Sequence, residues 1–244
     1  MRNLRIDLCY DGTRYKGWQR LQQNDNTIQG KLECILSRLL QENIEVSGSG
    51  RTDAGTHAIG QVANFHSNTT MTCDDILEGL RTYLPEDIGV YSCKDVSERF
   101  HARLHAKEKT YCYRLWNSMQ PCVFDRRFVY KDSRNFDITA MRKAAKHYVG
   151  THDFSAFCAN KHMKKSTVRA IRSFDICVKG DELRFTVTGN GFLQHMVRIM
   201  VGTLLEVGLH EREPDSILQL YGGSREFAGP AVPACGLSLM EVTY

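Results

Sequence analysis

The stretch SGSGRTDAGTHAIG, residues 47–60, gathers the residue types of this chain that are best suited to chemistry. Its glycines predict sharp turns and a close approach of the backbone by another group. Arg51 and Asp53 lie within these turns. Two interpretations of Asp53 stay open: its side chain supports the turn through local hydrogen bonds, or it presents a carboxylate for catalysis. Composition alone favours the first.

Arg198 is the second residue of interest, because it lies in the nearly apolar segment GFLQHMVRIMVGTLLEV at 191–207, which predicts a long helix. The residues three and four positions away from it are not acidic. Either the guanidinium reaches the surface along its aliphatic stem, or it is buried and needs a partner from elsewhere in the fold. Asp53 is a candidate partner, because an arginine beside a carboxylate keeps it ionised and available as a nucleophile or base.

Basic residues cluster in two segments, although the formal net charge is only +4. Residues 99–114 contain one cluster, with Tyr111 and Tyr113 between the cations. Residues 154–174 contain the other and no acidic residue: Lys161, Lys164, Lys165, Arg169 and Arg172. Each cluster alone fits a solvated surface. Together, with aromatic rings between the cations, they favour a polyanion such as RNA, because cations bind phosphates and rings stack on bases.

The composition excludes several classes of protein. The nine cysteines are scattered without a C-x-x-C motif, which predicts free thiols in a reducing cytoplasm and no metal site. The N-terminal residues lack the apolar run of a signal peptide, and no segment approaches the roughly 18 apolar residues of a membrane-spanning helix. The chain of 244 residues is long enough for one large domain or two smaller ones.

Hydrophobic periodicity indicates the elements that position these residues. Strands are predicted at 4–10, 43–50, 60–67, 87–96, 109–116, 167–178, 182–188 and 237–244. Helices are predicted from Thr27, over 72–83, from Asp137 and over 191–207. We therefore predict an α+β fold of two similar halves, 1–105 and 106–244. Each half is an antiparallel β-sheet flanked by helices, and the active-site cleft lies between the halves.

Several motifs resemble one known family. The string GRTDAGTHA (50–58) closely resembles the signature GRTDAGVHA of the tRNA pseudouridine synthase A (TruA) family. Further segments follow in the order expected for that family: YDGTRYKGWQRLQQNDNTIQGKLE (10–33), RFHARLHAKEKTYCYRL (99–115), THDFSAF (151–157), NGFLQHMVR (190–198) and GLSLMEVTY (236–244). The resemblance covers nearly the whole chain. Thr56 replaces the usual valine and would add a hydrogen bond, and Gln194 stands where the family often has histidine.

The resemblance implies a cytoplasmic enzyme that isomerises uridine to pseudouridine in the tRNA anticodon stem-loop, around tRNA positions 38–40. It also implies a homodimer that needs neither cofactor nor metal. Asp53 would be the essential carboxylate and Arg198 its partner. Arg51 would help to flip the target nucleotide, and Tyr111 would stack on the uracil. Lys161, Lys164, Lys165 and Arg169 are expected to bind the RNA backbone.

Two other functions remain open on the sequence. One is an RNA-binding protein or RNA chaperone with the same fold but no turnover. The other is a pseudouridine synthase that acts on ribosomal RNA or on other tRNA sites. An ionised carboxylate among phosphate-binding cations favours an enzyme over a mere binding protein, because binding alone gains nothing from it.

Overall fold

The computed structural model describes residues 1–22, 26–160 and 163–244, and over these ranges the fold is α+β, as predicted. The described residues form the α-helices α1 (Ile28–Leu40), α2 (Cys73–Tyr83), α3 (Ile138–Lys146) and α4 (Met196–Gly208). They form the strands β1 (Arg2–Tyr10), β2 (Ser47–Gly48), β3 (His57–Ser67), β4 (Ile88–Val96), β5 (Glu108–Trp116), β6 (Tyr130–Lys131), β7 (Gly150–Asp153), β8 (Val168–Lys179), β9 (Glu182–Gly189) and β10 (Leu237–Thr243). The chain divides into two compact units, Met1–Lys107 with Ser238–Tyr244, and Glu108–Leu237.

The sheet of the first unit has the strand order β4-β1-β3-β10, with β2 paired to β3. Strand β1 is antiparallel to β3 and β4, and its alternate residues Leu4, Ile6 and Leu8 are fully buried. Strand β10 is parallel to β3, with Ser238 opposite His57. The sheet is therefore mixed rather than antiparallel. The sequence-based division put 238–244 in the second half, whereas this pairing groups those residues with the first unit.

The sheet of the second unit has the strand order β5-β9-β8-β7, and these strands are antiparallel. The short strand β6 adds a parallel pairing to β5. Helices α3 and α4 contact each other, and α3 also packs on β8. This unit carries α4, the helix of Arg198.

A buried ion cluster joins β5 and β9 in the second unit. Arg114 donates from Nε and Nη2 to the two carboxylate oxygens of Glu182, at 2.7 and 2.9 Å, and Arg184 donates from Nε at 2.7 Å. Burial alone raises the pKa of Glu182, but the hydrogen bonds from the two arginines outweigh it and lower that pKa to about 2. The cluster thus fixes a charged carboxylate on the sheet.

Most helix starts lie where the sequence predicted them, because the capping residues are present. Thr27, Thr72 and Asp137 accept hydrogen bonds from the first turns of α1, α2 and α3. The predicted helix over 191–207 is wrong at its start, since α4 begins at Met196. His195, immediately before it, has a left-handed backbone with φ 60°, so an unbroken helix cannot include it.

The predicted strand over 43–50 is also shorter in the structure, where only Ser47–Gly48 pairs with β3. The backbone N–H of Ile44 donates to Ser37 Oγ at 2.9 Å, and that of Val46 donates to Glu33 Oε1 at 3.0 Å. Side chains of α1 therefore satisfy the backbone donors that a strand partner would otherwise accept.

None of the described helices is long and apolar enough to cross a membrane. Within the same ranges, no group of three or more histidine, cysteine, aspartate or glutamate residues is arranged to hold a metal ion. All nine cysteines lie in the described part of the chain and are free thiols.

Candidate active site

The loop that carries Asp53 contains a tight main-chain turn. The backbone N–H of Thr56 donates to the carbonyl of Asp53 at 3.1 Å, and Gly55 between them has φ +77°. A positive φ of this size at the third position is typical of a type II turn, where glycine is favoured. Asp53 thus closes the turn with its main-chain carbonyl. Asp53 is half-buried, whereas Arg51 and Ala54 are exposed.

A buried polar network supports this loop from below. The Tyr10 hydroxyl lies 2.8 Å from Thr52 Oγ1, and Gln61 Nε2 donates to Tyr10 at 3.3 Å and to the Gly50 carbonyl at 3.1 Å. Ser49 Oγ donates to Gln61 Oε1 at 2.6 Å. Burial raises the pKa of Tyr10 to about 12, so its phenol stays protonated and keeps these bonds at neutral pH. The side chain of Thr52, the residue before Asp53, is therefore held by a buried hydrogen bond to Tyr10.

The segment after β1 packs against the same loop at close range. The backbone N–H of Trp18 donates to the Thr52 carbonyl at 3.1 Å. A Cβ on Gly17, which has φ +95°, would lie 2.6 Å from that carbonyl oxygen. A Cβ on Gly12 would lie 2.0 Å from the Thr56 carbonyl oxygen. Only glycine allows these approaches, which explains the two glycines of the YDGTRYKGW motif.

Thr56, the departure from the family signature, does not gain the expected hydrogen bond. Its residue is 2% exposed, and Oγ1 has no hydrogen-bond partner among the described residues. The neighbouring His57 is equally buried and accepts from the Gly12 backbone N–H through Nδ1 at 3.0 Å. The His57 side chain therefore has a hydrogen-bond partner, whereas the buried Thr56 hydroxyl has none among the described residues.

Tyr111 lies in the second unit on β5, opposite Val187 of β9. It is 7% exposed, and its ring meets that of Phe192 edge to face, with centroids 5.1 Å apart and an interplanar angle of 81°. Phe192 belongs to the NGFLQHMVR motif, so two of the family's motifs meet in this ring pair.

Arg198 lies in the first turn of α4 and is half-buried. Its Nε donates to the Val232 carbonyl at 2.7 Å, and the Val232 N–H donates back to the Arg198 carbonyl at 3.3 Å. The segment that carries Val232 lies very close to α4, since a Cβ on Gly202 would lie 1.8 Å from the Pro230 carbonyl oxygen. The side chain thus finds a partner outside its own helix, as a buried guanidinium requires, and does not simply extend into solvent.

The basic residues of 154–174 divide into exposed and anchored members. Lys164 and Lys165 are exposed. Arg169 is half-buried and donates from Nη1 to the carbonyls of Ser166 and Val168 at 2.8 and 2.6 Å. Arg172 is paired with Glu108 at 2.6 Å. Lys161 lies outside the described residues.

Comparison with known proteins identifies the family. The family model described as tRNA pseudouridine synthase matches residues 9–104 and 144–244. The chain belongs to this family. A protein named tRNA pseudouridine synthase A 2 from Bacillus cereus (strain ZK / E33L) is 42% identical, and one named tRNA pseudouridine synthase A 1 from Clostridium tetani is 47% identical. A tRNA pseudouridine synthase A from Bacillus sp. (strain KSM-64) is 43% identical. Each comparison covers the full length of both chains.

The family membership confirms the predicted enzyme class: the chain is a tRNA pseudouridine synthase, an isomerase. Its predicted site residues divide between the two units. Asp53 and Arg51 belong to the first unit, whereas Tyr111 and Arg198 belong to the second. The pairing of Asp53 with Arg198 stays a prediction.

Sequence reasoning missed Tyr10 and Gln61, which support the Asp53 loop. One signal could have found them. Gln61 follows Gly60 in a strand that is otherwise apolar for several residues, and a buried glutamine needs hydrogen-bond partners for both its oxygen and its nitrogen. Its partners, however, come from positions that are distant in sequence and could not be inferred.

Proposed function

We propose that this tRNA pseudouridine synthase acts on the anticodon stem-loop of tRNA, at the family-typical positions 38–40, with Asp53 as the essential carboxylate and without a cofactor. The reaction breaks the C1′–N1 glycosidic bond of uridine, rotates the detached uracil and joins C1′ to C5. C5 then loses its proton to solvent, and N1 gains a proton. Substrate and product are isomers in the same oxidation state, so no external oxidant or reductant is required.

The main support is how the loop holds Asp53. Thr52, before it, is fixed through Tyr10 and through Trp18 N–H, and Thr56, after it, donates to the Asp53 carbonyl. A main chain held on both sides fixes the backbone from which the carboxylate extends, and catalysis by proximity requires such positioning. The carboxylate acts either by adding to the nucleotide or by taking a proton from the ribose, and both roles require its ionised form.

The other residues take the roles that their motif positions suggest. Arg51 is exposed beside Asp53 and replaces contacts that a uridine loses when it leaves the RNA stack, a step that costs a few kcal/mol. Tyr111 contacts the flipped uracil. Arg198 takes the role of partner to the Asp53 carboxylate, and its hydrogen bond to the Val232 carbonyl orients the guanidinium.

The RNA backbone is bound by Lys161, Lys164, Lys165 and Arg169, and the enzyme acts as a cytoplasmic homodimer in which both subunits contact each tRNA. The exposure of Lys164 and Lys165 suits contacts with phosphate, because such contacts need accessible cations.

Release of tritium from tRNA transcripts that carry C5-tritiated uridine tests the catalytic assignment, since C5 loses its hydrogen in the product. We expect Asp53→Asn to abolish release, while tRNA binding persists or tightens slightly because a negative charge near phosphates is removed. The matched control is Asp74→Asn, which removes an exposed carboxylate from α2 of the same unit. Turnover by Asp53→Asn at the control's rate would contradict the assignment.

Two further arms test the substrate and the cofactor. Transcripts labelled at tRNA positions 38, 39 or 40 should release tritium, and transcripts without uridine at these positions should not. Activity should survive exhaustive treatment with a metal chelator. If the wild-type protein binds tRNA and ribosomal RNA but releases no tritium from either, the RNA-binding alternative is correct.

A further inference from the structure

A pocket of about 600 Å³ lies within the second unit, and neither Tyr111 nor Arg198 lines it. Its walls come from the short 3-10 turn at Ser155–Phe157, from Asn160, Met163 and Thr167, and from the 3-10 turn Arg225–Phe227. Its volume is within the range of about 300–1,000 Å³ that is typical of pockets for small ligands. None of the roles proposed above uses this pocket.

Arg225 is the cation of this pocket. It is half-buried, and Nη1 donates to the Ala228 carbonyl at 2.9 Å. Among the described residues, no carboxylate lies within ion-pair distance of Arg225, and its other N–H groups have no hydrogen-bond acceptor. A guanidinium has five N–H donors, so most of them remain available to a ligand. Burial lowers the pKa of Arg225, and the carboxylate of Glu206 opposes this effect only in part.

The other lining groups are those that recognise a nucleoside rather than a bare anion. Ser224 Oγ donates to Glu226 Oε1 at 3.0 Å, so the carboxylate of Glu226 is oriented at the edge of the pocket. A carboxylate repels phosphate but accepts hydrogen bonds from a base N–H or a ribose hydroxyl. Asn160 adds an amide, and Met163 adds an apolar, polarisable side chain against which a base can pack.

We propose that this pocket binds one nucleotide of the substrate RNA, other than the uridine that reacts, with its phosphate on Arg225 and its nucleoside towards Glu226 and Met163. The location supports RNA as the source of that nucleotide, because the loop with the exposed Lys164 and Lys165 lies between two lining residues, Met163 and Thr167. Cations beside the pocket would bind the phosphates that precede and follow the held nucleotide. This inference rests on tRNA as the substrate, but not on the role of Asp53.

Binding of tRNA by Arg225→Gln, measured by fluorescence anisotropy over a series of salt concentrations, tests the inference. We expect affinity to fall about tenfold and the slope of log K against log salt to decrease by about one, because one phosphate contact is lost. The matched control is Arg142→Gln. Arg142 lies in the same unit on α3, donates from Nε to the Ile176 carbonyl at 3.1 Å and does not line the pocket. Arg225→Lys keeps the charge and should keep most of the slope.

A second variant tests the pocket without changing charge. Ser224 is exposed, so Ser224→Tyr is compatible with the fold and fills the entrance. It should weaken tRNA binding and leave the salt slope unchanged. Binding by Arg225→Gln and Ser224→Tyr at the level of Arg142→Gln would overturn the proposal. These assays measure binding only, so they give an answer even if Asp53→Asn proves active.

Discussion

Thr56 offers the most direct test of the loop's energetics, because its hydroxyl is buried without a partner among the described residues. A hydroxyl in this state costs about 1–3 kcal/mol of desolvation that no hydrogen bond offsets. Valine has the same shape and the same branching at Cβ, so Thr56→Val removes the cost without a cavity and with little change in side-chain entropy. We therefore expect Thr56→Val to raise the free energy of unfolding by about 1–3 kcal/mol.

Thr52 provides the matched control, since it lies four positions earlier in the same loop. It is 7% exposed, but its hydroxyl lies 2.8 Å from the Tyr10 hydroxyl. Thr52→Val therefore removes a hydrogen bond and leaves Tyr10 with one partner fewer, which should destabilise the protein by about 1–2 kcal/mol. The two chemically identical substitutions thus have opposite expected signs, because only one of the hydroxyls is satisfied.

Urea unfolding followed by circular dichroism measures both effects, and the two midpoints can be compared directly if the slopes are equal. For a chain of this size, 1 kcal/mol corresponds to a shift of about 2–4 °C in the thermal midpoint. Thr56→Val should also keep tritium release, since the main-chain turn is unchanged. If Thr56→Val destabilises the protein, or if both variants shift in the same direction, the assignment of an orphaned hydroxyl is wrong.

Three further predictions follow from the same structure. Tyr10→Phe should lower kcat of tritium release more than it raises KM, because it loosens the loop below the carboxylate without removing a group that contacts RNA. Replacing both Lys164 and Lys165 by glutamine should weaken tRNA binding and flatten its salt dependence, and an unchanged slope would mark them as a solvated surface. The lowered pKa of Glu182 means that its stabilising charge is fully present above pH 4.5 and is lost as the pH falls towards 2. Acid titration should therefore destabilise the wild type over that range more than Glu182→Gln, and equal acid sensitivity would contradict the assignment.

Elements that depend on local signals could be predicted from the sequence. The helices behind Thr27, Thr72 and Asp137 begin where their capping residues predict, since a cap acts within one turn of its own helix. The errors arose where distant groups decide the local structure. Most of segment 43–50 does not form the predicted strand, because side chains of α1 accept its backbone hydrogen bonds. Residues 191–195 lie outside α4, although the predicted segment 191–207 is nearly apolar. Apolar composition reports burial, and it does not distinguish a helix from an irregular buried segment.

The candidate site shows the same division between local and distant information. The glycines of the loop predicted a turn, and the structure contains one, but its closing bond is made by the Asp53 carbonyl. The question of whether Asp53 forms the turn or presents a carboxylate is therefore not a choice between alternatives. The turn is closed through the main-chain carbonyl of Asp53, whereas the catalytic role is proposed for its carboxylate.

Two glycines outside this loop allow the chain to pack closely against it. Gly17 and Gly12 allow the backbone of 12–18 to lie directly on the carbonyls of Thr52 and Thr56. Contacts of main chain on main chain therefore fix the backbone of the loop on both sides of Asp53. A side chain at Gly12 or Gly17 would push residues 12–18 away from the Thr52 and Thr56 carbonyls, so the position of the loop depends on both glycines.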